Sequence, residues 1–174
     1  MTARTRAAGA ALAVLVVLAA GGCMSEPDPK ESAGRLQDTR ATVIQAIQRV
    51  GHALSREGGR VTEARGAFAV CGSKPTTSME YRAAGKLAGD GPLADRLQAA
   101  ARALKAEGWK VTEEHYDGDR PWANLEKDGL QLSLRKDALR SSDALSYGIT
   151  GECLRVRDEQ VAHFDRSDTI APAG

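Results

Sequence analysis

The chain has 174 residues, with 24 Lys and Arg against 23 Asp and Glu, three Cys, two Trp, three Tyr and two Phe. Such a length holds one ordinary domain plus extensions and excludes a multidomain enzyme. The near-even charge, a formal net of +1, comes with no long basic run and excludes the concentrated positive face of a nucleic-acid binder.

Arg4 and Arg6 mark the first six residues, and the stretch from Ala7 to Ala20 is uncharged, with Leu12, Val14, Leu15, Val16, Val17 and Leu18 inside it. These are the charged and apolar regions of a secretory signal. The stretch closes on Leu18, Ala19, Ala20, Gly21, Gly22 and Cys23, small residues immediately before a cysteine. This junction resembles the lipobox of bacterial lipoproteins, with Ala20 standing where Leu is usual. The resemblance implies removal of residues 1–22, a diacylglyceryl group on the Cys23 thiol, and a protein held on the outer face of the cytoplasmic membrane. Two or more acyl chains anchor stably, at about 0.8 kcal/mol per buried methylene. Plain secretion and a retained signal anchor are the other readings. The uncharged run from Ala7 to Ser25 is 19 residues, close to the roughly 20 that span a bilayer, but its second half is poor spanning material. No Arg-Arg pair directs the leader to the twin-arginine route.

Loss of Arg4 and Arg6 with the leader leaves 152 residues carrying 22 basic and 23 acidic groups. Leu, Ile, Val and Phe make up 26 of them, under the roughly 20% at which disorder is suspected, yet the high net charge that disorder also needs is missing. A folded domain with a lean, alanine-padded core is expected. With Cys23 committed to lipid, Cys71 and Cys153 remain, and an even remainder in an oxidising compartment predicts one disulfide. There is no Cys-x-x-Cys spacing to favour redox chemistry or a thiolate metal site.

From Met24 to Ser32, Pro27 and Pro29 stand among polar residues and read as a tether, so that residues 23–33 join the lipidated cysteine to the domain. Fully extended, it would reach roughly 30 Å. From Gly34 to Leu54 the apolar residues Leu36, Val43, Ile44, Ile47, Val50 and Leu54 recur at helical spacing, and Gly58 and Gly59 stop the run. Arg35, Arg40 and Arg49 form a solvated face, lipid-surface contact being the lesser reading. Val61–Cys71 and Met79–Leu87 are β-like around a loop containing Pro75, and together form a hairpin. Gly91-Pro92 opens a second helix with Leu93, Leu97, Ala100, Ala101 and Leu104, which Gly108 ends.

Trp109–Tyr116, Trp122–Lys127 and Leu130–Arg135 read as strands, the last two joined by Asp128-Gly129, suited to a type I′ turn. Leu130, Leu132 and Leu134 alternate with Gln131, Ser133 and Arg135, giving one buried and one wet face. Ala144–Val156 is a final strand, with Gly148 and Gly151 placed to host a bulge. The tail from Arg166 to Gly174 is polar and expected to be disordered. The expected fold is therefore α+β, a two-layer sandwich of about five to six antiparallel strands with two helices on one face, spanning residues 34–165. A bridge between Cys71 and Cys153 requires α-carbons within about 7 Å, so the first and last strands should be neighbours or nearly so, with the last one central.

His52, His115 and His163 have no metal-ligand spacing to one another or to a cysteine, and no Gly-x-Ser-x-Gly elbow exists. No metal and no cofactor is expected. Ala83 to Gly91 is glycine-rich but lacks the spacing of a phosphate loop and reads as a strand end and turn. The densest polar segment runs from Glu113 to Trp122. His115, Tyr116, Asp117, Asp119 and Trp122 are its candidate ligand surface, through Tyr116 and Trp122 for a carbohydrate or peptide, or through Asp117 and Asp119 for calcium. The plain alternative is a hairpin turn with Trp122 as core filler.

The lipobox-like junction, the Cys71 and Cys153 pair, the stretch from Leu97 to Trp109 and the run Gly151, Glu152, Cys153, Leu154 resemble the small uncharacterised lipoproteins of high-GC actinobacteria. The alanine, arginine and glycine bias matches that source. The resemblance implies location and not chemistry, since no activity is assigned to that family. The leading expectation is a non-enzymatic, lipid-anchored protein presenting an α+β domain to an envelope protein or small ligand, with no nucleic-acid partner. An envelope hydrolase using His115 or His52 is one alternative. A lipid or solute carrier, which needs a sizeable apolar cavity, is the other.

Overall fold

The computed structural model describes residues 28–72, 77–137, 144–164 and 167–171. The leader, Cys23 and the residues up to Pro27 lie outside the described residues. The first helix, α1 (Pro29–Arg56), begins at Pro29 and not at Gly34. Asp28 adopts extended backbone angles and its Oδ1 accepts a hydrogen bond from the Lys30 amide at 2.8 Å. Pro29 takes the first helical position, where a missing N–H costs nothing, and Glu31 sits in the positive end of the helix dipole. The proline read as part of a tether is a helix start, which corrects the expected boundary.

Gly58 ends this helix with φ of 82°, and β1 (Arg60–Cys71) and β2 (Ser78–Ala88) follow as an antiparallel hairpin. After α2 (Leu93–Ala106) come β3 (Lys110–His115), β4 (Trp122–Lys127) and β5 (Leu130–Lys136). Asp128 and Gly129 between the last two have φ of 50° and 77°, the pair of positive angles that a type I′ turn requires. The chain continues through β6 (Leu145–Thr150), β7 (Leu154–Arg155), α3 (Asp158–Val161), a 3-10 turn (Ala162–Phe164) and β8 (Ser167–Thr169).

The fold is α+β. Among the described residues its sheet has eight strands in the order β3-β4-β5-β6-β2-β1-β8, with β7 also paired to β2, and every pairing is antiparallel. The count exceeds the expected five to six for two reasons. First, the expected strand 144–156 breaks at Gly151, whose amide bonds to the Tyr81 carbonyl at 3.0 Å while Thr39 and Val43 of α1 crowd its α-carbon. Any side chain there would collide, so glycine lets the chain turn under the helix. Gly148 lies in regular register within β6, between Ala84 and Ser133, and hosts no bulge.

Second, the tail expected to be disordered is partly ordered. Ser167–Thr169 pair with Arg65–Ala67 of β1, and Ile170 is buried, its amide bonded to the Ala64 carbonyl at 3.1 Å. One long-range apolar contact and one ion pair, described below, outweigh the local polarity of this segment.

Val43, Ile47, Val50 and Leu54 of α1 join Leu97, Ala100, Ala101 and Leu104 of α2 and the inward side chains of the strands in one buried cluster. Two tyrosines fill it where small residues leave room. Tyr81 lies over Gly66 and Tyr147 over Gly85, each so close that a β-carbon on the glycine would overlap the ring. A second, smaller cluster of Leu36, Met79, Leu154, Val156 and Phe164 closes the end of the domain at the start of α1. Cys71 and Cys153 form a disulfide with α-carbons 6.0 Å apart. As the bridge required, β6 is central and only β2 separates it from β1.

Candidate functional site

Strand register alone arranges the sheet face opposite the buried cluster. Lys86, Ser146, Arg135, Trp122 and His115 are successive cross-strand partners and form one transverse row. Two residues along each strand the row is Ala84, Gly148, Ser133 and Asn124, and beyond it stand Arg82, Thr150, Gln131 and Glu126. Short side chains between two rows of long ones leave a trough. It crosses four strands, a length of about 15 Å at the usual strand spacing. The part of it on β4, β5 and β6, continued onto β3 at Thr112, holds about 320 Å³ and is lined by Asn124, Gln131, Ser133, Arg135, Gly148 and Thr150.

At one side the trough opens into a cleft of about 790 Å³ bounded by Asp119, Arg120, Pro121, Trp122, Asn124, Arg135, Lys136 and Asp137. Asn124 and Arg135 belong to both, so the two adjoin at the Arg135 side chain. The Trp122 ring is half-buried and stacks on His115, with centroids 6.5 Å apart and planes 29° from parallel. Lys86 Nζ lies 3.4 Å from Asp137 Oδ2, and the Asp137 carboxylate is buried. The guanidinium groups of Arg120 and Arg135 have no carboxylate partner among the described residues. The surface thus offers two open planar donors, amides and hydroxyls along a groove, and one aromatic ring at its edge.

Of the five residues proposed from sequence, the structure brings three to this surface. His115 and Trp122 meet, and Asp119 lines the cleft. Trp122 is not core filler. Tyr116 turns the other way: it packs against the main core, and its hydroxyl donates to Glu114 Oε2 at 2.8 Å. Burial first, and then this hydrogen bond, push its phenol up to about 12. Asp117 is an exposed turn residue that does not line the cleft. No local pattern in the sequence marks Arg120, Asn124, Ser133 and Arg135 as parts of one surface. The signal for Ser133 and Arg135 was present, since the alternation in β5 marks them as outward, but only register shows what stands beside them.

Other chemistry-bearing groups are spoken for. His52 lies on the exposed side of α1 with Arg49 and Arg56, and His163 is exposed in the 3-10 turn, so the three histidines do not converge. Glu80 approaches Cys71 and Cys153, but the sulfurs are bonded to each other and the buried carboxylate is paired with Arg82. Asp168 accepts from Arg40 Nε at 2.8 Å, from Arg40 Nη2 at 2.6 Å and from the Tyr81 hydroxyl at 2.6 Å. The Arg40 guanidinium holds the Asp168 carboxyl below the usual range against the opposing effect of burial, and Tyr81 adds to it. Among the described residues no helix is long and apolar enough to cross a membrane. Comparison with protein-family models, with curated proteins and with solved structures gives no match.

Proposed function

We propose that the chain is an envelope lipoprotein, anchored through Cys23 to the outer face of the cytoplasmic membrane, whose domain binds an anionic saccharide without chemical turnover. In this reading the domain is a two-layer sandwich. Helices α1 and α2 cover one face of the sheet, and the other face is the presenting surface. The observation that carries the reading is the adjoining trough and cleft, with Arg135 between them and Arg120 in the cleft.

Charge and shape favour this ligand class. A guanidinium matches a planar carboxylate or a phosphate with two parallel hydrogen bonds. The amides of Asn124 and Gln131 and the hydroxyls of Ser133 and Thr150 suit a ligand rich in hydroxyl groups, and Trp122 supplies an apolar plane beside them. A carrier for an apolar solute fits less well. Among the described residues two cavities between helices and sheet, one beside Val50, Leu104, Trp109 and Lys127 and one beside Leu54, Leu87 and Ala100, have volumes of about 50 Å³ and 80 Å³, too small for a lipid chain. A hydrolase reading loses support because His52 and His163 lie far from His115, which is engaged with Trp122.

The test is calorimetric titration of the purified protein with an oligogalacturonate and, separately, with its methyl ester, which keeps every hydroxyl and removes the charge. Binding of the acid and not of the ester supports the reading. Equal binding of both, or binding of neither, overturns it. The anchor is tested apart from the ligand. Cys23→Ser should move the protein out of the membrane fraction, and unchanged fractionation would remove the lipoprotein claim.

A further inference from the structure

The position of the helix start determines how an anchored domain sits. We infer that the end of the domain formed by the start of α1, Val70 and the segment from Arg155 to His163 rests on the bilayer surface, and that the Trp122 cleft points away from it. This rests on the lipid-anchor reading of Cys23.

Two observations converge. The first is covalent reach. Asp28, the helix cap, follows Cys23 by five positions, and five Cα-to-Cα steps reach at most about 18 Å. That is less than half the length of α1, whose 28 residues rise about 42 Å, so the start of α1 stays the end nearer the membrane and the domain cannot turn over. The second is what lies at that end. Val70 is the large apolar side chain left exposed among the described residues, at 59%. It pairs with Met79, which belongs to the small cluster with Leu36 of α1 and Leu154. The exposed apolar residue therefore sits at the same end of the domain as the start of α1.

Charge is nearly balanced at this end. Lys30, Arg35, Arg155 and Arg157 are matched in number by Asp28, Glu31, Glu152, Asp158 and Glu159 to within one charge, with Arg35 paired to Glu152 at 3.1 Å and Arg157 within 3.9 Å of Glu159. Tether length and apolar contact, not attraction to anionic lipid, hold the seat, so it should persist at high salt. Strand register sets the far end. Lys86, level with Trp122 through Ser146 and Arg135, lies seven residues along β2 from Met79, a rise of about 23 Å.

The full lipidated protein, isotope-labelled and placed in phosphatidylglycerol–phosphatidylethanolamine nanodiscs with a gadolinium-chelating headgroup lipid, gives the readout. Amide signals should be lost at Ala33, Val70, Cys71 and Arg155 and kept at His115, Trp122 and Arg135, with the same pattern in high salt. Val70→Ser, an exposed change that leaves the core intact, should reduce the loss around Val70. Uniform loss, or loss centred on Trp122, overturns the orientation while leaving the anchor in place. Mass spectrometry of the same sample distinguishes the two claims: an unmodified Cys23 overturns the anchor and the orientation together.

Discussion

Arg40 of α1 and Asp168 of β8, 128 residues apart, meet in a two-point ion pair that ties the last strand to the first helix. Tyr81 donates to the same carboxylate from beneath. Both charged groups are partly exposed, which reduces the worth of the pair relative to a buried one. Asp168→Asn should still cost about 1–3 kcal/mol, because charge-assisted bonds are lost and the Tyr81 hydroxyl loses its strong acceptor. The carboxyl is held below its ordinary range in the folded protein. Its contribution is thus present above the unfolded value near 3.9 and lost as pH falls through the folded one. Urea unfolding at pH 7 and at pH 3 should show a gap between wild type and Asp168→Asn that narrows in acid.

All three tyrosines are raised in the folded state. Burial pushes Tyr147 up to about 12, burial and Glu114 push Tyr116 to about 12, and burial together with Asp168 pushes Tyr81 higher still. A phenol that ionises near 10 when unfolded then favours unfolding as pH rises above 10. Absorbance at 295 nm should show almost no phenolate at pH 10 in the native protein. About half of each phenol should ionise at that pH in urea.

Gly85 leaves the space that the Tyr147 ring fills. Gly85→Ala should destabilise by about 1–3 kcal/mol through overpacking, although alanine is the better residue for an ordinary backbone position. Gly34, on the exposed side of α1 with nothing near its α-carbon, is the control. There the same change should stabilise by about 0.5–1 kcal/mol. Thermal melts of both variants check the pair.

The Cys71–Cys153 bridge closes a separation of 82 residues. On chain entropy its loss costs about 4.5 kcal/mol, a large part of the stability of a small domain. A double Cys71→Ala, Cys153→Ala variant should unfold at markedly lower urea concentration than the oxidised protein.

Arg135 stands on the outer face with no carboxylate partner among the described residues. Arg135→Ala should weaken saccharide binding about tenfold, equal to about 1.4 kcal/mol. Stability should change by no more than about 0.5 kcal/mol, as for other surface positions. Titration and thermal melting on one preparation separate the two effects.

The sequence made the regular elements legible because their periods are local. The stripe from Leu36 to Leu54, the alternation from Leu130 to Leu134 and the Asp128-Gly129 turn all lie where expected. It misled where a local signal met a distant partner. Pro29 breaks an interior helix but starts one after Asp28, and the polar residues around Asp168 read as disordered without sight of Arg40. For the site, Trp122 and His115 were visible as a polar segment with an aromatic. The trough was not, because it runs across strands and its residues come from four separate stretches of chain.

The most direct test of the binding surface is an amide and indole chemical-shift titration of the labelled protein with an oligogalacturonate. Saturable shifts are expected at the Trp122 indole, Asn124, Ser133 and Arg135, with little change along α1. Shifts centred on the exposed side of α1 around His52, or none at saturating ligand, would contradict this expectation.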